Sequence, residues 1–200
     1  MGDTSRLQIC NTGGASKGRL AATVLTMHDT ETFFFALLAS GLALFLVLIV
    51  GSLVLDRHDR LGFISQVRAV TVELAALVGV ACVAGSLYLS EVIGFIPCRL
   101  CWVQRGFMYP AAVILAIAVF ARKKYLLWAA GSLSIIGLPV SIYHRWEQSS
   151  GHANFCSVDN PCSIRYFTHF GFITTPTMAA IGFAGIAMFI GLNLFWRTSP

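Results

Sequence analysis

The sequence predicts an all-α integral membrane protein, and three observations lead there. Of 200 residues, 56% are hydrophobic and only 12% are charged, where a soluble globular domain carries roughly a quarter charged. Mean hydropathy is +0.75. Long uncharged runs recur along the chain, and short polar stretches between them hold most of the lysines and arginines. The net charge of +5 comes with no basic stripe interleaved with aromatics. It reads as a membrane topology signal and argues against a nucleic-acid surface.

Residues 1–32 are polar, rich in Gly, Ser and Thr, and read as a flexible N-terminal tail. The tail contains Cys10, without an evident role, and Met27, an alternative start. Residues 33–55 carry no charge before Asp56 and are long enough to cross a hydrocarbon core of about 30 Å. The run is too long for the apolar part of a cleaved signal and lacks an Ala-x-Ala exit, so it reads as a retained helix. A charged loop over 56–68 follows, with Arg57, Arg60 and Arg68. Further spans are expected at about 69–89, 102–121, 125–143 and 171–196. Glu73 falls near the start of the second span, as an end-of-span charge, and Cys82 inside it reads as an inert buried thiol.

Two loops carry cysteine pairs. The run Pro97-Cys98-Arg99-Leu100-Cys101-Trp102-Val103-Gln104-Arg105 opens the third span, and Cys156 and Cys162 lie in the polar loop before the last one. The basic turn Arg122-Lys123-Lys124 is the clearest orientation signal, and by the positive-inside rule it is cytoplasmic. Both cysteine pairs then face the opposite, extracytoplasmic side, where a bacterial cell is oxidising.

Such pairs admit three readings: structural disulfides, a four-cysteine zinc site, or a redox relay. Cys-x2-Cys suits zinc, but Cys-x5-Cys in an extracytoplasmic loop suits it less. A c-type haem needs His after the second cysteine, where Trp102 stands. Local chemistry favours the relay. Cys98 and Cys101 are three apart and share one face at a helix start. Unpaired N–H groups there stabilise a thiolate. Arg105 is one turn deeper, placed to stabilise Cys101 or a polar ligand head. An arginine within a membrane helix is costly, ~2.5–3.5 kcal/mol at the centre by insertion scales, which favours a functional role over mere snorkelling. The Asn160-Pro161 turn makes the second pair accessible to a soluble partner. Trp102 and Trp146 fit interfacial anchoring.

The runs Gly85-Ser-Leu-Tyr-Leu-Ser-Glu91, Gly94-Phe-Ile-Pro-Cys98-Arg-Leu-Cys101-Trp-Val-Gln-Arg105 and Phe107-Met-Tyr-Pro110 closely resemble the DsbB/BdbC disulfide bond formation proteins, the BdbC branch in particular. Ser141-Ile-Tyr-His144, Asn160-Pro-Cys162 and Phe170-Gly-Phe-Ile-Thr-Thr-Pro176 extend the resemblance, which covers about 68–196. It implies a four-helix transmembrane bundle, here with one extra N-terminal transmembrane helix, in the bacterial cytoplasmic (inner) membrane. It further implies reoxidation of a DsbA-like thioredoxin-fold partner, with electrons passed to a quinone, ubiquinone or menaquinone. Cys98, Cys101, Cys156 and Cys162 are the implied redox residues. Arg105 and His144 are the implied quinone-binding residues, and no metal is implied. Two features depart from the family pattern: the first helix is additional, and the second pair is separated by only five residues. The alternative reading from another class is a structural membrane protein with two inert loop disulfides. Electron flow in reverse, from the protein as reductant, is a further reading.

Overall fold

The computed structural model describes the backbone of residues 14–55, 70–150 and 166–195, and side chains within 30–51, 70–150 and 166–194. Cys10, Cys156, Cys162 and the loop over 56–68 lie outside the described residues.

Five helices are described: α1 Gly14–Leu55, α2 Thr71–Leu87, α3 Arg99–Ala121, α4 Lys124–Ser150 and α5 Thr175–Phe195. Each contains a stretch long and apolar enough to cross a membrane, as expected. In α1 that stretch is Thr30–Gly51. The helix itself begins at Gly14, inside the segment expected to be a tail. Residues 15–32 contain no proline and hold Ala, Lys, Arg, Leu and Met, which propagate a helix well.

Helices α2 to α5 close a ring, each packed on the next and α5 on α2, and α1 lies against α5. This is a four-helix bundle with one extra N-terminal helix. Its burial pattern is that of a lipid-solvated protein. Large apolar side chains point outward, among them Phe120, Trp128, Ile136 and Val113. Small residues sit where helices meet, because without water between helices close packing and internal hydrogen bonds drive association. In α4 the buried face reads Leu127, Ala130, Gly131, Ser134, Gly137, Ser141, His144. Ser134 and Ser141 donate their hydroxyls back to the carbonyls of Ala130 and Gly137, which satisfies both hydroxyls within the helix itself. At the centre Phe183 of α5 is fully buried against Gly137. Near the other end Asn193 of α5 donates to Thr71 of α2 at 2.9 Å.

The connections position the site. Between α3 and α4 the chain reverses in two residues, with Arg122 in the left-handed region at φ 49° and its N–H on Ala118 O. Arg122 lies 3.9 Å from Glu73, an exposed pair that contributes little stability. At the opposite end α2 widens into a π-helical turn, Tyr88–Val92, a feature often found beside functional sites. Gly94, at φ 84°, then turns the chain into Phe95-Ile96-Pro97-Cys98. The basic turn and the Cys-x-x-Cys therefore sit at opposite ends of α3.

The fit of Gly137 against Phe183 can be tested directly. A Cβ at Gly137 would come within 2.4 Å of the ring. Gly137→Ala is expected to destabilise the detergent-solubilised protein by about 1–3 kcal/mol, the usual cost of overpacking. Adding Phe183→Leu should restore part of the loss in thermal unfolding.

Candidate redox site

Cys98 is the N-cap of α3, with an extended backbone and its carbonyl accepting from Trp102 N at 3.1 Å. The helix thus starts at Arg99, earlier than the span expected from 102. Cys101 falls in the first turn, and the two Sγ atoms are 3.1 Å apart, both free thiols. The shared face expected from their spacing is present.

His144 approaches from α4. The polar run His144-Arg-Trp-Glu-Gln-Ser reads as a loop by composition, yet α4 continues to Ser150. Its buried face extends through His144, Glu147 and Gln148, so the polar residues on that face are covered by the bundle and not by water. Tyr143 donates to Glu147 Oε1 at 3.1 Å. His144 Nε2 is 3.6 Å from Cys98 Sγ, and its Nδ1 is 3.4 Å from Gln104 Oε1. Gln104 in turn donates through Nε2 to Ser141 Oγ at 3.1 Å. With the amide so oriented, Oε1 accepts from Nδ1–H, and Nε2 is left to take the Cys98 proton.

Cys98 lies just outside the membrane-spanning part of α3, and its thiol is held well below the usual range, at about 4. The hydrogen bond with Cys101 is the largest cause; the His144 contact and charge lower it further, against the opposing effect of burial. Once Cys98 ionises, the Cys101 thiol is the donor between the two sulfurs. The sequence contains the means to make one cysteine the stable leaving group and nucleophile of the pair.

Arg105 is not placed by a contact to Cys101. Its Nε donates to Ser86 Oγ at 3.0 Å and an Nη to Ser86 O at 2.9 Å, and the guanidinium lies 5.2 Å over the Trp102 ring. These contacts hold a positive charge at the edge of an apolar cavity of about 610 Å³, a volume typical of small-molecule sites. Cys98, Cys101, Gln104, Arg105, Tyr109 and His144 contribute its polar wall. Gln104 and Ser86 were not singled out from sequence. For Gln104 the available signal was a polar residue within a span, three residues after Cys101 and so on the same helical face.

The chain after the second cysteine loop is fastened at the same doorway. Tyr166 stacks on Phe95 at 4.3 Å between centroids and donates to Ile96 O at 2.9 Å. Burial raises its phenol above the ordinary value. His169 and Ile173 bridge each other, Phe170 and Gly171 take positive φ, and α5 begins at Thr175.

Two thiols poised for exchange at the mouth of a cavity, within a bundle of membrane-length helices, define a multi-pass membrane thiol oxidoreductase. Residues 68–193 match the family described as disulfide bond formation protein DsbB, and the chain belongs to that family. It is 44% identical over 123 residues to disulfide bond formation protein C of Bacillus subtilis, covering 58% of this chain and 86% of that one. It is 46% identical over 109 residues to a probable disulfide formation protein C of Bacillus cereus, covering 52% and 77%. A probable disulfide formation protein of Oceanobacillus iheyensis is 43% identical over 109 residues, covering 50% and 72%. No solved structure matches the chain. The family and these relatives identify a disulfide-forming oxidoreductase of the membrane.

The depressed Cys98 thiol sets a pH dependence. A lowered pKa keeps the thiolate as pH falls, until pH passes the depressed value. Alkylation of the reduced protein at Cys98 by iodoacetamide should therefore hold its rate to near pH 4, where an ordinary thiol loses it below ~8.5. His144→Gln should move the fall to higher pH, and Cys101→Ala should move it further. A wild-type profile centred on the ordinary value would contradict this arrangement.

Proposed function

We propose that the protein reoxidises a DsbA-like thioredoxin-fold partner outside the cytoplasm and passes the electrons to a membrane quinone, ubiquinone or menaquinone. The observation that carries the reading is a reactive Cys98–Cys101 pair opening on an apolar cavity within a membrane bundle. In this reading all four cysteines take part, with the pairs on the extracytoplasmic side of the bacterial inner membrane. The basic turn Arg122-Lys123-Lys124, at the far end of α3, supports that orientation.

The residues fit a quinone. Tyr109 Oη is buried, lines the cavity and has no hydrogen-bond partner among the described residues, an arrangement that suits a carbonyl acceptor. Arg105 uses only part of its donor set on Ser86. Arg105, His144 and Tyr109 would hold the ring's oxygens, and the apolar walls would hold its substituents. A bound quinone supplies the acceptance of two electrons and two protons.

The chain's own part is thiol–disulfide exchange. The partner's thiolate attacks Cys156 of a Cys156–Cys162 disulfide, forming a mixed disulfide and releasing Cys162. Cys162 attacks Cys98 of a Cys98–Cys101 disulfide and releases Cys101 as a thiolate. The partner's second thiolate then attacks its own sulfur in the mixed disulfide and leaves oxidised. The Cys156 thiolate so freed attacks Cys162 and expels Cys98, whose thiolate is stabilised beside His144. Two electrons have moved from the partner to Cys98 and Cys101. Cys162 is four residues from Tyr166, a chain length of at most ~14 Å. The Tyr166 anchor at Ile96 therefore supports exchange despite the short spacing of the second pair.

In proteoliposomes with reduced thioredoxin-fold partner and quinone, partner thiols should be consumed with one quinone reduced per disulfide. Cys101→Ala and Cys156→Ala should each abolish turnover; full activity in either would sink the relay and favour inert loop disulfides. Arg105→Gln should raise the KM for quinone by about tenfold or more, the weight of a charge-assisted hydrogen bond, while leaving the KM for the partner unchanged.

A further inference from the structure

The matched family region begins at residue 68, yet the cavity has a wall that lies before it. Phe35, Leu38, Ala39 and Leu42 of α1 line the same space as Cys98, Cys101 and Arg105. Their spacing is that of one helical face. This face is held in place at two levels. At the cysteine end, Tyr88 donates to Glu31, the Phe35 and Tyr88 rings are 5.7 Å apart, and Phe35 sits over Gly85. His169 meets Thr32 at 3.0 Å there too. Deeper in the membrane, Leu42 and Leu46 pack on Gly185, and Phe45 lies 6.2 Å from Phe189. The absence of a side chain at Gly85 lets Phe35 of α1 come close, where a Cβ would lie 3.3 Å from its ring.

Polar and apolar parts of the cavity are segregated. The polar groups come from α3, α4, the end of α2 with its π-helical turn, Tyr166 and the start of α5, and none of them comes from α1. The α1 face contributes only carbon to the cavity, whose lining also includes Val78, Ala81, Met178 and Ile181 of α2 and α5. From this we infer that α1 is the wall that receives the isoprenoid tail of the quinone and selects for tailed over tail-less quinones. The inference rests on the proposed quinone reaction. It assigns to the extra helix a binding role that the four-helix core would otherwise lack a wall for.

The test uses the full-length protein in proteoliposomes and two photoreactive quinone analogues, one with a diazirine in the tail and one on the ring. After irradiation and proteolysis, the tail probe should label residues 30–51, and the ring probe should label the α3–α4 end of the cavity. Tail labelling confined to α2 and α5 would overturn the inference while leaving quinone binding intact. Failure of both probes to label, together with no thiol consumption, would instead remove the quinone reading itself. Turnover gives a second measure. Ala39→Trp, which fills the cavity from α1, should raise the KM for a decyl quinone by about tenfold, the weight of a few lost methylene contacts. It should leave the KM for a tail-less quinone and for the partner unchanged. Leu38→Ala, a milder truncation that preserves helix propensity, should give a smaller shift of the same selectivity. Equal shifts for both quinones, or none in either variant, would overturn the inference.

Discussion

Much of the structure depends on one contact, the approach of His144 Nε2 to Cys98 Sγ across the α3–α4 interface. A thiolate at a membrane surface is stable only if something nearby favours the charge. The helix N-terminus contributes, but its effect fades within a turn. A second thiol and an imidazole are therefore brought within reach, and the imidazole needs its own support. Gln104 and Ser141 provide that support, ending at the Gly137 carbonyl within α4. A chain of polar groups thus runs from the mouth of α3 into the bundle, each donor matched by an acceptor. In lipid such a chain is satisfied completely or it is expensive.

That requirement explains the choice of residues at the helix contacts. Small side chains along α4 let α3 and α5 come near enough for the polar groups to meet. Gly137 makes room for Phe183, and Phe183 both fills the centre and lines the cavity. The same packing that places His144 also leaves a cavity lined by the two thiols, by further polar groups and, along α1, by carbon. The redox pair and its cavity are consequences of one packing arrangement.

The entrance is built differently. A π-helical turn after α2, a left-handed Gly94 and the Phe95–Tyr166 stack bring two distant parts of the chain to the residues just before Cys98. Helices determine where the cysteines sit, and these irregular segments determine what can reach them. Ser86, at the end of α2, holds Arg105 by two hydrogen bonds. These hydrogen bonds reduce the arginine's cost in the membrane.

Five spans were legible in the sequence because lipid demands long uncharged runs, and composition reports that demand without knowledge of packing. The Cys-x-x-Cys at a helix start was legible because its spacing and position carry the chemistry locally. The motif's likeness to a known family named His144 and Arg105 as site residues, but not what they touch. His144 looked like the first residue of a loop, since polarity at a span's end has the same appearance whether a neighbouring helix or water covers it. Gln104 looked like one polar residue among apolar ones, and α1 looked like an appendage. Their places follow from contacts between residues far apart in the chain: Cys98 with His144, Arg105 with Ser86, Leu42 with Gly185. The sequence by itself determined the solvent, the number of spans and the reactive groups, because these depend on local composition and spacing. Only the tertiary structure decided which imidazole meets which thiol and which helices enclose the cavity, because those depend on how close small residues allow helices to come.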